Sequence, residues 1–398
     1  MLRPLSLFLI LLPFSGAAQF TIEGNVVNIN DKKPLENANV FITNTTSGAH
    51  TKADGSFRLN GVNNGRYELV VSMVGFTSFR QPLVVNDSNI TFKNIELIPK
   101  TIELKEVKVK PNNEWQRDYE WFKSFFLGTS ENAAQCKIIN PEIINLDYDD
   151  STKRLTGSTS DFIEIQNNAL GYNLKYLLND FLWDRTKNTM SYDGAVWFEN
   201  MTGTESQKRK WTKNRLNAYL GSSMHFFRSV IGNNLKEDGF WMHQLKVSPN
   251  TERPADSLIK TNLKKYKKLA EKSYKYSDSL FYWVEKSQMP IIKQTYVDST
   301  LRLNEVVKIT DHKNLFAFDC DGDYIYVAYS KKNRSGEPNF EEYYLINSKA
   351  TVVAFLSSHI FFDNNGWIVN PGSAIFSGYW ASKRMADLLP MDYQPPTK

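Results

Sequence analysis

The sequence predicts a mainly β protein with some helix: an N-terminal β-sandwich followed by an α+β domain built on an antiparallel sheet. Three observations carry that reading. Apolar residues alternate with period two over residues 20 to about 109, aromatic residues recur at helical spacing just after Pro111, and short apolar runs bounded by turn residues return from Leu303 onward. At 398 residues the chain exceeds the usual size of one domain, and 41% hydrophobic with 23% charged residues is a globular composition.

The chain opens with Met1-Leu2-Arg3, an apolar run over residues 5–12, and the small residues Ser15-Gly16-Ala17-Ala18, the three regions of a secretory signal peptide. Gly16 and Ala18 set the expected cut after Ala18, so residues 1–18 are assigned to the signal and Gln19 opens the mature chain. The run is shorter than the roughly 20 apolar residues of a membrane helix, and no later stretch reaches that length. No Cys follows it to carry a lipid, and the polar end Gln394-Pro395-Pro396-Thr397-Lys398 is unlike the last strand of a membrane barrel. Soluble export is expected, to the periplasm or the outer membrane. Removing Arg3 lowers the formal net charge from +5 to +4, too little to imply a nucleic-acid partner.

From Gln19 to Lys110 the alternating sets are Phe20/Ile22/Val26, Ala38/Val40/Ile42, Phe57/Leu59, Tyr67/Leu69/Val71/Met73, Leu83/Val85, Ile90/Phe92 and Ile102/Leu104. Between them stand Asn30-Asp31, Asn44-Thr45-Thr46-Ser47-Gly48, Asp54-Gly55, Asn63-Asn64-Gly65 and Asn86-Asp87-Ser88, which carry turn chemistry. About seven half-buried strands give a small sandwich. Asp54-Gly55 reads as a turn, because Asp bonds its own backbone and Gly accepts positive φ; a metal-binding Asp54 would lack companion carboxylates.

The order of Gly24-Asn25-Val26, Pro34-Leu35-Glu36-Asn37-Ala38-Asn39-Val40, Ala53-Asp54-Gly55-Ser56-Phe57, Gly65-Arg66-Tyr67 and Val74-Gly75-Phe76 resembles the carboxypeptidase regulatory-like domain. The resemblance covers about a quarter of the chain. It implies a transthyretin (prealbumin)-like β-sandwich at 19–110, a non-catalytic module of exported Gram-negative envelope proteins that often precedes an outer-membrane transporter. Residues 102–109 resemble the strand leading into a transporter plug, although no Gly-rich plug and no barrel strands follow. A zinc carboxypeptidase is disfavoured on the residues themselves: it needs His and Glu three apart plus a second His. None of His50, His225, His243, His312 and His359 is followed at that spacing by an acid, so no His-x-x-Glu motif is present and no metal or cofactor is expected.

Pro111-Asn112-Asn113 marks the expected boundary with a second domain over 111–398. A helix should follow, with Asn113 as cap, Trp115, Tyr119, Phe122 and Phe126 as a core-facing stripe, and Gly128 as its end. Strands are expected at 143–146, 162–165, 172–178 and 195–198. A long helix is expected over about 204–232, with Leu216, Tyr219, Leu220, Phe226, Phe227, Val230 and Ile231 on one face and a kink or close packing at Gly221. Residues 249–279, rich in Lys, Ser and Tyr, read as an exposed insertion with partial helix. Strands at 306–309, 315–318, 324–329, 343–346, 352–355 and 367–369, with turns at Asp321-Gly322, Arg334-Ser335-Gly336 and Asn364-Asn365-Gly366, suggest a meander. Trp121-Phe122, Phe126-Leu127-Gly128, Ala218-Tyr219-Leu220-Gly221-Ser222 and Gly378-Tyr379-Trp380 resemble a C-terminal region found with this module in other envelope proteins, which implies architecture and no activity.

Candidate chemistry is sparse. His225 sits among Phe226 and Phe227 as a structural residue, and Ser222 and Ser223, outside a Gly-x-Ser-x-Gly setting, read as small helix residues. Asp319-Cys320-Asp321-Gly322-Asp323 begins like a calcium loop, but Tyr324 and Ser330 stand where Gly and Glu are required, which favours a hairpin turn. Cys136 and Cys320 are either a disulfide or two buried thiols. Lys208-Arg209-Lys210 with Lys213 and Arg215, and Lys260, Lys264, Lys265, Lys267, Lys268 and Lys272, form two basic clusters, read as solvated faces with an anionic surface as the alternative. The expected function is a non-catalytic envelope binding or assembly module whose partner is an envelope protein or surface glycan. The rivals are a hydrolase or glycan-handling enzyme using pairs such as Asp161/Glu164 or Asp319/Asp321, and an accessory subunit of an outer-membrane transporter.

Overall fold

The computed structural model describes residues 19–100, 112–300, 306–319, 324–330 and 349–396. Outside the described residues lie the expected signal peptide at 1–18, the strand at 102–109, the boundary at Pro111, Cys320, the turns at Asp321-Gly322 and Arg334-Ser335-Gly336, and the strand at 343–346. The chain divides into two compact units. One is built from residues up to Leu220 with Asp363–Asn365 and the segment from Lys383; the other comprises Gly221–Phe362 and Gly366–Ser382.

In the first unit, strands β1 (Phe20–Asn28), β2 (Asn39–Ile42), β3 (Gly48–His50), β4 (Ser56–Val62), β5 (Gly65–Ser72), β6 (Phe79–Val85) and β7 (Ile90–Leu97) form two sheets, ordered β4-β1-β7 and β3-β2-β5-β6. The alternation does what it predicts: Ile22, Val26, Val40, Ile42, Phe57, Leu59, Leu69, Val71, Val85 and Ile95 make one core between the layers. All pairings are antiparallel except β1 with β7, which run parallel. Asp54 and Gly55 form the expected turn, the Ser56 amide donating to Asp54 Oδ1 at 2.9 Å while Gly55 takes φ of 75°.

Phe41 and Val70 break the alternation, being buried although they point away from that core. They meet Phe162, Leu177, Ala195 and Trp197 of the next sheet, so the outer face of the sandwich is covered within the same unit. That sheet follows helix α1 (Asn112–Leu127) and contains β8 (Cys136–Ile138), β9 (Ile144–Asp149), β10 (Arg154–Thr159), β11 (Phe162–Asn167), β12 (Tyr172–Asp184) and β13 (Thr189–Asn200). The long hairpin β12–β13 is its spine, and β11 and β10 pair in succession along the other edge of β12. The aromatic stripe of α1 is core: Phe122 meets the Phe181 ring at 4.9 Å and Phe126 meets Tyr176 at 5.1 Å, both edge to face. The helix begins at Asn112, one residue ahead of the expected cap, and ends at Gly128 with φ of 90°.

The expected single helix over 204–232 is two. Helix α2 (Glu205–Tyr219) opens on a capping box between Thr204 and Gln207, and α3 (Ser223–Ile231) opens on Ser222, whose side chain accepts from the His225 amide. Between them Gly221 holds φ of 85°, a left-handed conformation that no continuous helix contains. Ser222 is thus a cap rather than an interior helix residue.

The second unit continues with α4 (Leu235–Asp238), β14 (Phe240–Pro249), α5 (Asp256–Ala270), α6 (Ser277–Gln288) and β15 (Ile292–Thr300). The expected insertion is therefore a complete helical hairpin carried between two paired strands. Next come β16 (Val307–Ile309), β17 (Leu315–Phe318), β18 (Tyr324–Tyr329), β19 (Ala350–Phe355), β20 (Ile360–Asp363), β21 (Ala374–Gly378) and α7 (Tyr379–Ser382). They are not one meander: β15-β14-β18-β19-β21 form an antiparallel sheet and β16-β17-β20 another. The expected strand at 367–369 reduces to a single bridge, Phe362 to Ile368, because the Asn370 side chain occupies ladder positions, accepting from the Phe361 amide at 2.7 Å and donating to His359 O at 3.1 Å. No helix among the described residues is long and apolar enough to cross a membrane.

Candidate functional site

The first unit carries a polar cleft of about 250 Å³ lined by Ser130, Glu131, Asn132, Asn214, Asn217, Ala218, Lys383 and Asp387. Three segments build it. Asn214, Asn217 and Ala218 share one face of α2 through their spacing of three and four. That helix is clamped by side chains donating to the carbonyls of the β11–β12 connection: Trp211 Nε1 to Asn168 at 3.0 Å, Asn214 Nδ2 to Ala169 at 2.8 Å, and Arg215 to Leu170 at 2.6 Å and Gly171 at 2.9 Å. Arg215 also lies 3.8 Å from the Tyr172 ring centroid, so this member of the first basic cluster is structural rather than a free charge.

Ser130, Glu131 and Asn132 come from the loop after α1, and Lys383 and Asp387 from the C-terminal segment. Asn167 holds that segment, its Nδ2 donating to Ala386 O at 3.0 Å. Asp387 is only 6% exposed. Its Oδ1 accepts from Asn132 Nδ2 at 2.8 Å and faces Lys383 Nζ at 3.5 Å. Its Oδ2 is buried and has no hydrogen-bond partner among the described residues. A buried carboxylate oxygen without a donor is costly, so a small shift of the side chain that opened Oδ2 to the cleft would let a hydroxyl or amide group donate to it. Beside it, burial pushes the Cys136 thiol up to about 12, with the charge of Asp387 adding to the shift.

The residues singled out in the sequence go elsewhere. Asp161 accepts from the Phe162 amide at 2.7 Å and Glu164 is exposed in β11; their odd spacing does not gather them on one face. Asp319 sits in the second unit, accepting from Lys308 Nζ at 2.6 Å and His359 Nε2 at 3.1 Å, while Asp321 lies outside the described residues. The other nitrogen of His359, Nδ1, is 2.7 Å from Ser358 Oγ. His225 is buried, its Nδ1 accepting from the Gly221 amide at 3.1 Å, and desolvation lowers its pKa to about 4. No group of three or more His, Cys, Asp or Glu among the described residues could hold a metal ion. Asn132, Lys383 and Asp387 were missed. The one signal was an acid inside the apolar run Met385-Ala386-Asp387-Leu388-Leu389, where a charged residue needs a reason to be.

Comparison with known proteins bears on the sandwich. Residues 22–109 match the family model of the CarboxypepD_reg-like domain. Solved structures similar to the chain include a pilus 2b backbone protein of group B streptococcus, at 17% identity over 21% of this chain and 42% of that one, TM-score 0.18. The chain thus spans less than half of that streptococcal protein. A 5-hydroxyisourate hydrolase of Klebsiella pneumoniae is similar at 18% identity over 20% of this chain and 91% of that one, TM-score 0.18. A DUF3823 family protein of Parabacteroides merdae is similar at 12% identity over 47% of this chain and 83% of that one, TM-score 0.18. Similarities this slight assign no ligand and no activity. No curated protein matches the chain at a significant level. The CarboxypepD_reg-like domain accounts for residues 22–109 and leaves the cleft, which draws on α2 and the C-terminal segment, outside it.

Proposed function

We propose that the protein is an exported, non-catalytic binding module of a bacterial envelope, acting in the periplasm or at the outer membrane, whose polar cleft takes hydroxyl groups of a surface glycan. The observation that carries this reading is Asp387, which borders the cleft with one buried carboxylate oxygen lacking a donor among the described residues, beside the polar side chains of Ser130, Glu131, Asn132, Asn214, Asn217 and Lys383. Such groups recognise sugars by hydrogen bonding, and Asn167 with the β11–β12 connection fixes the α2 and C-terminal segments that carry them. The signal-like residues 1–18 support export. Titrating the protein with envelope oligosaccharides in an NMR or calorimetric assay tests the reading. Asp387→Asn, which replaces an acceptor by a donor, should abolish binding without unfolding the chain; oligosaccharides bound equally by both proteins would place the site elsewhere.

A hydrolase is the second reading, and the Ser358, His359 and Asp319 cluster favours it. The contacts of 2.7 and 3.1 Å on the two ring nitrogens follow the logic of a serine triad. It ranks second because Lys308 Nζ sits on the same Asp319 oxygen as His359, which opposes formation of an imidazolium between them. Hydrolysis of ester or peptide substrates by the wild type that Ser358→Ala removes would promote this reading over binding.

A further inference from the structure

We propose that the α5–α6 hairpin is a foot that rests on an anionic lipid surface, its turn entering the headgroup layer. The hairpin leaves the sheet between Pro249 and Ile292, which pair with each other, so both of its ends are anchored at one point. Each helix packs chiefly on the other. Ile259 is the one side chain of the two helices that is buried among the described residues. At the turn Tyr274 is 91% exposed, and Phe281, one turn into α6, is 70% exposed. A soluble helical pair gains nothing from presenting these rings to water.

Charge selects the occupant. Residues 264–275 contain Lys264, Lys265, Lys267, Lys268, Lys272 and Lys275 against one acid, Glu271. Beyond this stretch Asp256 is paired with Arg253 at 2.6 Å, and Asp278 and Glu285 lie on α6 with Lys286. Favourable placement of cations at a helix C-terminus explains Lys267 and Lys268 but not the lysines beyond the helix or the exposed Tyr274. A projecting turn offers no groove for a partner segment. A lipid surface conforms to it, accepting aromatic rings at the headgroup boundary while lysine stems reach along them to phosphates. The same geometry would serve an acidic protein poorly, since a matching concavity would have to exist on the partner.

Co-sedimentation of the full chain with lipid vesicles tests the proposal. Vesicles containing phosphatidylglycerol should retain the protein, and phosphatidylcholine alone or high salt should weaken retention by about tenfold or more. Tyr274→Ser with Phe281→Ser, and separately Lys→Gln at 267, 268, 272 and 275, should each lower partitioning by about tenfold, with far-UV circular dichroism and glycan binding unchanged. Equal retention by neutral and anionic vesicles, or anionic binding that ignores both sets of substitutions, would overturn it. So would indifference to vesicles combined with lysine-dependent binding of polyglutamate, which would assign the foot to an acidic polypeptide.

Discussion

Gly48 lies against the indole of Trp197, and a Cβ at that position would overlap the ring. The contact locks the seam between the sandwich and the sheet that covers it. Trp197 stacks on Phe41 at 5.9 Å, and the backbone pairs beside it through Asn44 N to Val196 O at 2.7 Å and Phe198 N to Thr45 O at 3.0 Å. Gly48→Ala should therefore destabilise the chain by about 1–3 kcal/mol, the usual range for forcing extra atoms into a packed core. Urea unfolding followed by circular dichroism measures this. Adding Trp197→Phe should recover part of the loss in a double-mutant cycle, whereas simple additivity would show that the overlap is relieved elsewhere.

The same seam is closed by the C-terminal segment. Both carboxylate oxygens of Asp392 accept from the Thr46 amide at 3.1 Å, one also accepts from the Thr46 hydroxyl, and the Met391 amide donates to Asn44 O at 2.6 Å. Asp392→Ala leaves the Thr46 groups without their charged acceptor and should cost about 2 kcal/mol. Asp392→Asn keeps one acceptor and should cost less. Equal effects of the two would mean that the charge and the acceptor are not what the segment supplies.

How much of this was legible depends on the range of the forces involved. The sandwich was, because alternation and turn residues are local, and so was the α1 stripe from Trp115 to Phe126. The cleft was not: Asn132 and Asp387 are 255 positions apart, and nothing in either neighbourhood names the other. The break at Gly221 shows the limit of periodicity, since the apolar spacing runs through residues 216–231 while the backbone reverses hand at one position. Phe41 and Val70 carried a signal that alternation alone discards, two apolar residues on a face expected to meet water.

Gly221 should tolerate no side chain. At φ of 85° a Cβ is strained in itself, and it would also stand 2.7 Å from Cδ1 of Tyr329. Gly221→Ala should lower stability by at least about 1 kcal/mol and leave helical content unchanged. An increase in far-UV helical signal would instead show that α2 and α3 can fuse.

Cys136 is a free, buried thiol with Sγ 3.3 Å from Asn132 O, and burial raises its pKa from an ordinary 9.0 to about 12. The thiolate is the reactive form, so the native thiol should resist alkylation at neutral pH. Pulse labelling with iodoacetamide, read at the peptide containing Cys136 by mass spectrometry, should show modification only as urea unfolds the chain. Rapid labelling of the native protein would mean that the segment around Cys136 opens locally.

His225 should give the second unit an acid limit. Its ring meets Phe240 at 4.8 Å and Tyr329 at 5.5 Å, and desolvation lowers its pKa from 6.5 to about 4, with Asp238 raising it and Lys349 and Arg228 lowering it by smaller amounts. In the unfolded chain the imidazole protonates near its ordinary value, so between about pH 6.5 and 4 the unfolded state binds the extra proton. Stability therefore falls as pH is lowered through that window, and the group makes no pH-dependent contribution above it. His225→Gln keeps an acceptor for the Gly221 amide but does not titrate. It should be less stable than the wild type at pH 7 through lost ring packing, yet should show a shallower decline down to pH 4, the two curves converging. Parallel curves in urea titrations across this range would place the proton uptake on other groups.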